Sequence, residues 1–405
     1  MDSPALGTRR SGSLASLREG NRKRVIDALR EHGVASRAEL SRITELSRST
    51  VSTIVGDLLE SGLAVERDGQ PEGEAHAGRP PVMVALDSSA GLALAIDFGH
   101  SHLRVAVSDL SHEVLAETWR ELDVDHSATD GLAAAREDVD RALAEASADR
   151  SRVIGAVMGL PAPINRATGA AEDSSILPGW VGVDAAAEAS ARLELPVAVE
   201  NDANLGALAE LVWGAAKGRS EVAYIKVSSG IGGGLISNGR LTHGVGGTAG
   251  EIGHTVLTDG GPVCRCGNRG CLETLASAPA VARQLSASRF EEITPRRLLE
   301  LSASGDPAAR RLIGDAGRAL GVAIANLCNI VNPDCVVIGG DLGQAGDVLL
   351  EPIREVVRRN AIPSAAEDTE IVGAVLGERA EMLGALALVM QESERFAAPG
   401  LREAA

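Results

Sequence analysis

Residues 244–273 read GVGGTAGEIGHTVLTDGGPVCRCGNRGCLE, and the reading of this stretch organises the rest of the chain. Cys264, Cys266 and Cys271, three of the five cysteines, fall within eight residues, and His254 precedes them. Three thiols and one imidazole suit a closed tetrahedral zinc site. Gly267 and Gly270 free the backbone to wrap tightly enough for the sulfurs to converge on one ion. Ordinary buried thiols or a disulfide pair are the alternative, although free thiols scatter along a sequence rather than cluster.

EIGH followed by CRCGNRGCLE resembles the signature of the ROK family, which holds sugar kinases and sugar-responsive transcriptional regulators on one fold. The resemblance implies that Glu251 and His254 contact sugar hydroxyls, that His254 also ligates zinc, and that Glu273 reaches the sugar. The chemistry agrees, because carboxylates and an imidazole can accept or share hydrogen bonds with paired hydroxyls. Zinc (Zn2+) would be structural, orienting the site without entering any reaction.

A chain of 405 residues, 44% of them hydrophobic, can build two or three domains with their own cores. Its three Trp, one Tyr and three Phe leave the packing to aliphatic side chains and alanine. No apolar run reaches the roughly 20 residues needed to span a bilayer, and the first residues lack a secretory h-region, so a cytoplasmic location is expected. An odd cysteine count with three in a metal pattern agrees with a reducing compartment, and Cys328 and Cys335 read as small core residues. The net charge of −17 argues against nucleic acid until its distribution is seen. Residues 1–67 carry eleven Arg or Lys against nine Asp or Glu, so the acidity lies further along.

Residues 1–13 read as a disordered arm, and 14–88 as a winged helix-turn-helix. A first helix starts near Leu14 and stops at His32-Gly33; Ser36 with Glu39 forms a capping box for a second; Ser47 caps a third that buries Val51, Ile54, Val55, Leu58 and Leu59. The exposed start of the third helix carries Arg48, Ser49, Thr50, Ser52 and Thr53, small hydroxyl side chains and one arginine suited to a major groove. Strands around Leu63–Val65 and Val82–Leu86 form a hairpin in the position of a wing, with Arg79 at its tip shaped for a minor groove. A protein-interaction module with a solvated loop is the alternative. The resemblance extends here too, since ROK regulators carry winged-helix heads that the family's kinases generally lack.

From residue 90 the pattern alternates strand and helix, as in an α/β fold. The resemblance implies a two-lobed actin-like, ribonuclease-H-like body: a small lobe over 91–203, a large lobe with the zinc loop over 204–376, a C-terminal helix over 377–393 returning to the small lobe, and a tail over 394–405. Within ENDAN, Asn201 and Asp202 fall where a strand runs into a helix. By themselves they read as a helix cap. By resemblance Asn201 and Asp202 bind sugar, and in a kinase Asp202 is the catalytic base. Ser229–Gly234 reads as a glycine-rich turn able to point backbone N–H groups at phosphate, or equally as a tight hairpin.

The phosphate loops separate enzyme from sensor. Where the family's kinases have DxGGT this chain has Asp97, Phe98, Gly99, His100 and Ser101, and where they have GTG it has Ser228, Ser229 and Gly230, with Gly232 following. Both loops are altered while the sugar side is complete. The expectation is therefore a DNA-binding repressor controlled by a sugar or sugar derivative, acting as a homodimer or dimer of dimers on a palindromic operator. The alternative is a hexokinase-like enzyme, using ATP and Mg2+, that carries a DNA-binding head.

Overall fold

The computed structural model describes residues 12–60, 62–68, 82–87, 91–165, 168–171 and 176–392. Arg79, the first residues of the arm and the C-terminal tail lie outside these. The chain divides into two compact units: residues 1–93 with 108–115 and 150–152, and the remainder.

The first unit holds α1 (Gly12–His32), β1 (Val34–Ser36), α2 (Arg37–Thr44), α3 (Arg48–Glu60), β2 (Ala64–Asp68) and β3 (Val82–Leu86). Ser36 and Glu39 close the expected capping box: Glu39 N donates to Ser36 Oγ at 3.2 Å, and Ser36 N donates to the Glu39 carboxylate at 2.8 Å. Ser47 Oγ accepts from Thr50 N at 3.1 Å and starts α3. Val25, Leu29, Leu40, Val51, Val55 and Leu58 bury together as the core of this unit. One element was not legible: β1 pairs antiparallel with β3, making a three-stranded sheet of order β1-β3-β2. Three residues between two helices are too few to carry a strand pattern, and only the partner strand reveals them.

The second unit begins within β4 (Leu92–Phe98) and runs through β5 (His102–Asp109), β6 (Val114–Glu121), α4 (Ala128–Glu145), β7 (Val153–Leu160), α5 (Ala185–Leu193) and β8 (Val197–Asn201). Then come α6 (Asp202–Val212), β9 (Val222–Val227), β10 (Ile231–Ser237), β11 (Arg240–Leu241), α7 (Leu272–Ala276), α8 (Ala278–Arg289), α9 (Pro295–Ala303) and α10 (Pro307–Val331). The last elements are β12 (Cys335–Gly339), α11 (Asp347–Asn360), α12 (Pro363–Asp368), β13 (Glu370–Gly373) and α13 (Ala380–Gln391). One sheet has the order β6-β5-β4-β7-β8 and the other β11-β10-β9-β12-β13. Each places its first strand in the middle, the next two to one side and the last two to the other. That shared order makes the body two lobes of one topology. The final helix α13 packs on α6 and β7.

Of the two readings of Ser229–Gly234, a turn throughout or a tight hairpin, the structure takes the hairpin. Only residues 228–230 turn; Gly232, Gly233 and Gly234 lie within β10, paired antiparallel with β9. Glycine is needed there for close approach, since a Cβ on Gly234 would sit 2.5 Å from the Ala203 carbonyl oxygen and one on Gly233 2.7 Å from that of Gly250. Among the described residues no helix is long and apolar enough to cross a membrane.

Candidate functional site: a sugar-type pocket beside a metal knuckle

The chain returns on itself after His254. Val256 pairs with Cys271, Val263 with Arg269, and Leu257 N donates to the Gly270 carbonyl at 2.9 Å. Gly267 and Gly270 take φ of +89° and +68°, the left-handed region that favours glycine. This narrow ribbon carries the cysteines back to the histidine. The ligand atoms of His254, Cys264, Cys266 and Cys271 all lie within 4.8 Å of one another. Cys266 Sγ is 3.7 Å from Cys271 Sγ, and Cys264 Sγ is 3.5 Å from His254 Nδ1. Sulfurs bound tetrahedrally to zinc at about 2.3 Å stand about 3.7 Å apart, so this donor set fits the metal. With Nδ1 facing the thiols, His254 turns Nε2 towards Glu251, 3.8 Å away.

Glu273 lies in the first turn of α7, whose N-cap is Cys271. It is buried, and its Oε1 accepts from Arg265 Nε at 2.9 Å, with Cys264 Sγ 3.5 Å away. The metal knuckle and the carboxylate are thereby tied into one piece.

Asn201 and Asp202 stand at the β8–α6 junction. Asn201 is a helix cap: its Oδ1 accepts from Ala203 N at 2.9 Å and Asn204 N at 3.2 Å, and its Nδ2 donates to the Ala162 carbonyl at 3.1 Å. Asp202 Oδ1 accepts from Ala203 N at 2.7 Å and its Oδ2 from Lys226 Nζ at 2.8 Å. Behind them Glu200 is buried against His243 Nε2 at 2.7 Å, Asn204 Nδ2 at 2.8 Å and Asn201 N at 2.9 Å. Burial opposes its charge, but His243 and the two amide donors outweigh that and hold the Glu200 carboxyl below its ordinary value.

Asn201, Asp202, Glu251, His254 and Glu273, the five residues expected to meet a sugar, line one pocket. Gly230 and Gly232 of the second loop line it as well. A larger neighbouring cavity of about 390 Å³ is lined by Asp97, Gly99, His100, Ser101 and Ser229 of the altered phosphate loops. His100 Nδ1 is held by Asp125 Oδ1 at 2.7 Å, and His102 Nε2 lies 3.5 Å from Asp97 Oδ2. Asp202 and Lys226 line both spaces and mark the boundary between them.

Sequence reasoning missed four of these participants: Lys226, Glu381, His243 and Arg265. Lys226 did leave a signal, a single charge inside the apolar strand AYIKV, where a buried ammonium must be paired. Glu381 left none. It reaches the site from α13, far along the chain, and accepts from Lys226 Nζ at 2.8 Å.

In the first unit Arg48, Ser49, Ser52 and Thr53 are exposed along α3 and Thr50 is half-buried, so the expected reading face is presented to solvent. Ser47 Oγ lies 2.9 Å from Ser49 Oγ, and Thr53 Oγ1 donates to the Ser49 carbonyl at 3.1 Å, which keeps these short side chains close to the helix.

A winged helix ahead of a two-lobed body, with a Cys3His knuckle beside its cleft, defines a DNA-binding regulator built on a sugar-kinase-type fold. The chain belongs to the ROK family, whose model matches residues 93–392, and the winged helix-turn-helix DNA-binding model matches residues 18–64. It is similar to the xylose repressor of Caldicellulosiruptor bescii, 28% identical over 95% of this chain and 99% of that one. It is also similar to a glucokinase of Halalkalibacterium halodurans, 33% identical over 73% of this chain and 94% of the enzyme. A solved ROK family transcriptional regulator, described as a homolog of the Escherichia coli MLC protein, superposes with a TM-score of 0.78 at 28% identity, covering 96% of this chain and 99% of that one. The repressor and the regulator match over 95% and 96% of this chain, the kinase over 73% of it.

Proposed function

We propose that this ROK transcriptional regulator is a cytoplasmic repressor whose hold on a palindromic operator is set by a sugar or sugar derivative bound among Asn201, Asp202, Glu251, His254 and Glu273. The convergence of those five side chains on one pocket carries the reading, because paired carboxylates and an imidazole are what a polyol's hydroxyls require. Structural zinc on His254, Cys264, Cys266 and Cys271 keeps His254 and Glu273 in place. Arg48, Ser49, Thr50, Ser52 and Thr53 read the major groove, Arg79, outside the described residues, is the candidate for the minor groove, and a homodimer or dimer of dimers supplies the two-fold symmetry of the operator. Effector and operator are coupled through one free energy, so operator DNA changes sugar affinity by the same factor by which sugar changes DNA affinity.

The test is a gel shift of the protein on its own upstream DNA at moderate salt, repeated with each sugar that raises the melting temperature. Sequence-selective retardation relieved by one sugar is the expected result. Absence of selective retardation would sink the DNA-binding reading, and retardation indifferent to every sugar that binds would sink the effector reading.

A further inference from the structure

Lys226 lies in β9 opposite Gly232 of β10 and Gly339 of β12. With no side chain on either flanking residue, its own is free to leave the sheet at the boundary of the two cavities. There it ion-pairs with Asp202 Oδ2 and Glu381 Oε1, each at 2.8 Å, and only 20% of the side chain is exposed. Asp97, itself buried, adds a third carboxylate within electrostatic reach. Burial works against the lysine's charge, but Asp202 and Glu381 outweigh it and hold the Lys226 pKa well above its ordinary value. Burial raises the Glu381 carboxyl, with Asp97 adding to it and Lys226 opposing.

Carboxylates gathered in a buried cleft repel one another unless a cation sits among them. In phosphoryl transfer that cation is a divalent metal bridging the nucleotide phosphates, and the catalytic carboxylate must be open to the acceptor hydroxyl. Magnesium bonds carboxylate oxygens at about 2.0–2.1 Å. Here Oδ2 of Asp202 and Oε1 of Glu381 already grip an ammonium, and Oδ1 of Asp202 accepts from its own helix. The residues therefore do not fit a magnesium nucleotide while Lys226 is in place.

We propose that Lys226 is a built-in counter-ion standing where a transferring site would need a divalent cation, so that the cleft grips its ligand without magnesium and does not pass phosphate to it. This rests on the reading of the Asp202 pocket as a sugar site, and the ammonium has a positioning role there, holding the Asp202 carboxylate in place.

The test is manganese binding to zinc-loaded, full-length protein, followed by the paramagnetic signal of free Mn2+ and by calorimetry. Wild type is expected to take up no manganese that depends on Asp202. Lys226→Met should gain one such site, tighter than any in wild type by at least about tenfold, which is about 1.4 kcal/mol. Adding Asp202→Asn to that variant should abolish it. Should Lys226→Met fail to fold, Lys226→Met with Glu381→Gln removes one acid together with the cation and is read the same way. An Asp202-dependent manganese site already present in wild type, or a folded variant that gains none, overturns the proposal. Sugar-induced melting shifts, measured on the same samples with and without added Mg2+, keep the two readings apart. A wild-type shift that needs Mg2+ overturns the proposal. Absence of any shift in all proteins breaks the sugar reading and leaves the manganese result to decide the role of Lys226.

Discussion

The two cavities on either side of Asp202 have fared differently. In the smaller pocket, proposed above for a sugar, Glu251, His254 and Glu273 stand in the family's pattern and are braced by a metal-type knuckle whose donors lie within 4.8 Å of one another. Towards the larger cavity His100, which lines both, is turned to Asp125, and Lys226 spans Asp202 and Glu381. Recognition needs only a rigid set of hydrogen-bonding partners, whereas transfer also needs an open base and a place for a metal. A chain can therefore lose the second and keep the first. The knuckle and the β8–α6 junction, which hold the five pocket residues, lie outside the altered loops, although His100, Ser229 and Gly230 of those loops line the same pocket.

The sharpest way to break this contrast is to remove the brace. Cys266→Ser should abolish stoichiometric zinc by elemental analysis and, through His254 and Glu273, reduce sugar affinity by more than any single contact does; a structural zinc site is worth on the order of 10 kcal/mol in small domains. Unchanged zinc content and unchanged sugar affinity would show that the knuckle is not the support described here.

A smaller effect is expected from Glu273→Gln, which keeps shape but removes the charge that faces Arg265 and, on the proposed reading, the ligand. Calorimetry should show sugar affinity weakened by about 1.5–3 kcal/mol, the range of a charged hydrogen bond, with DNA affinity of the sugar-free protein unchanged. If instead the sugar-free protein loses its operator, Glu273 belongs to the switch and not only to the pocket.

The smallest effect concerns the floor of the sugar side. The Glu200 pKa is lowered in the folded state, so the unfolded chain binds the proton more readily. Its stabilising contribution is complete above the unfolded value of about 4.5 and is lost as pH falls through the lower folded value. Melting curves from pH 7 downward should show Glu200→Gln already less stable at neutral pH, with the gap to wild type closing below about pH 4.5. A constant gap at all pH values would mean that packing, not ionisation, is what Glu200 contributes.

Local chemistry was legible where neighbours in sequence do the work. The capping box at Ser36, the α3 start at Ser47, the strand ending in Asn201 and the clustered thiols each rest on residues a few positions apart, whose spacing already states the geometry. The resemblance to ROK proteins pointed to Glu251 and Glu273, which line the same pocket and which spacing alone would not single out. The glycine run left turn and hairpin open because a turn and a close-packed strand ask for the same residue; the pairing with β9 and the Ala203 carbonyl against Gly234 decide for the hairpin.

What the chain determined by itself was therefore the winged head, the α/β body, the Cys3His cluster and the acids that meet in one pocket. Tertiary structure alone decided that β1 completes the head's sheet, that His243 supports Glu200, and that Glu381 of α13 meets Lys226 of β9 beside Asp202. The reason is physical: a buried charge announces that it needs a partner, but folding chooses which distant residue provides it.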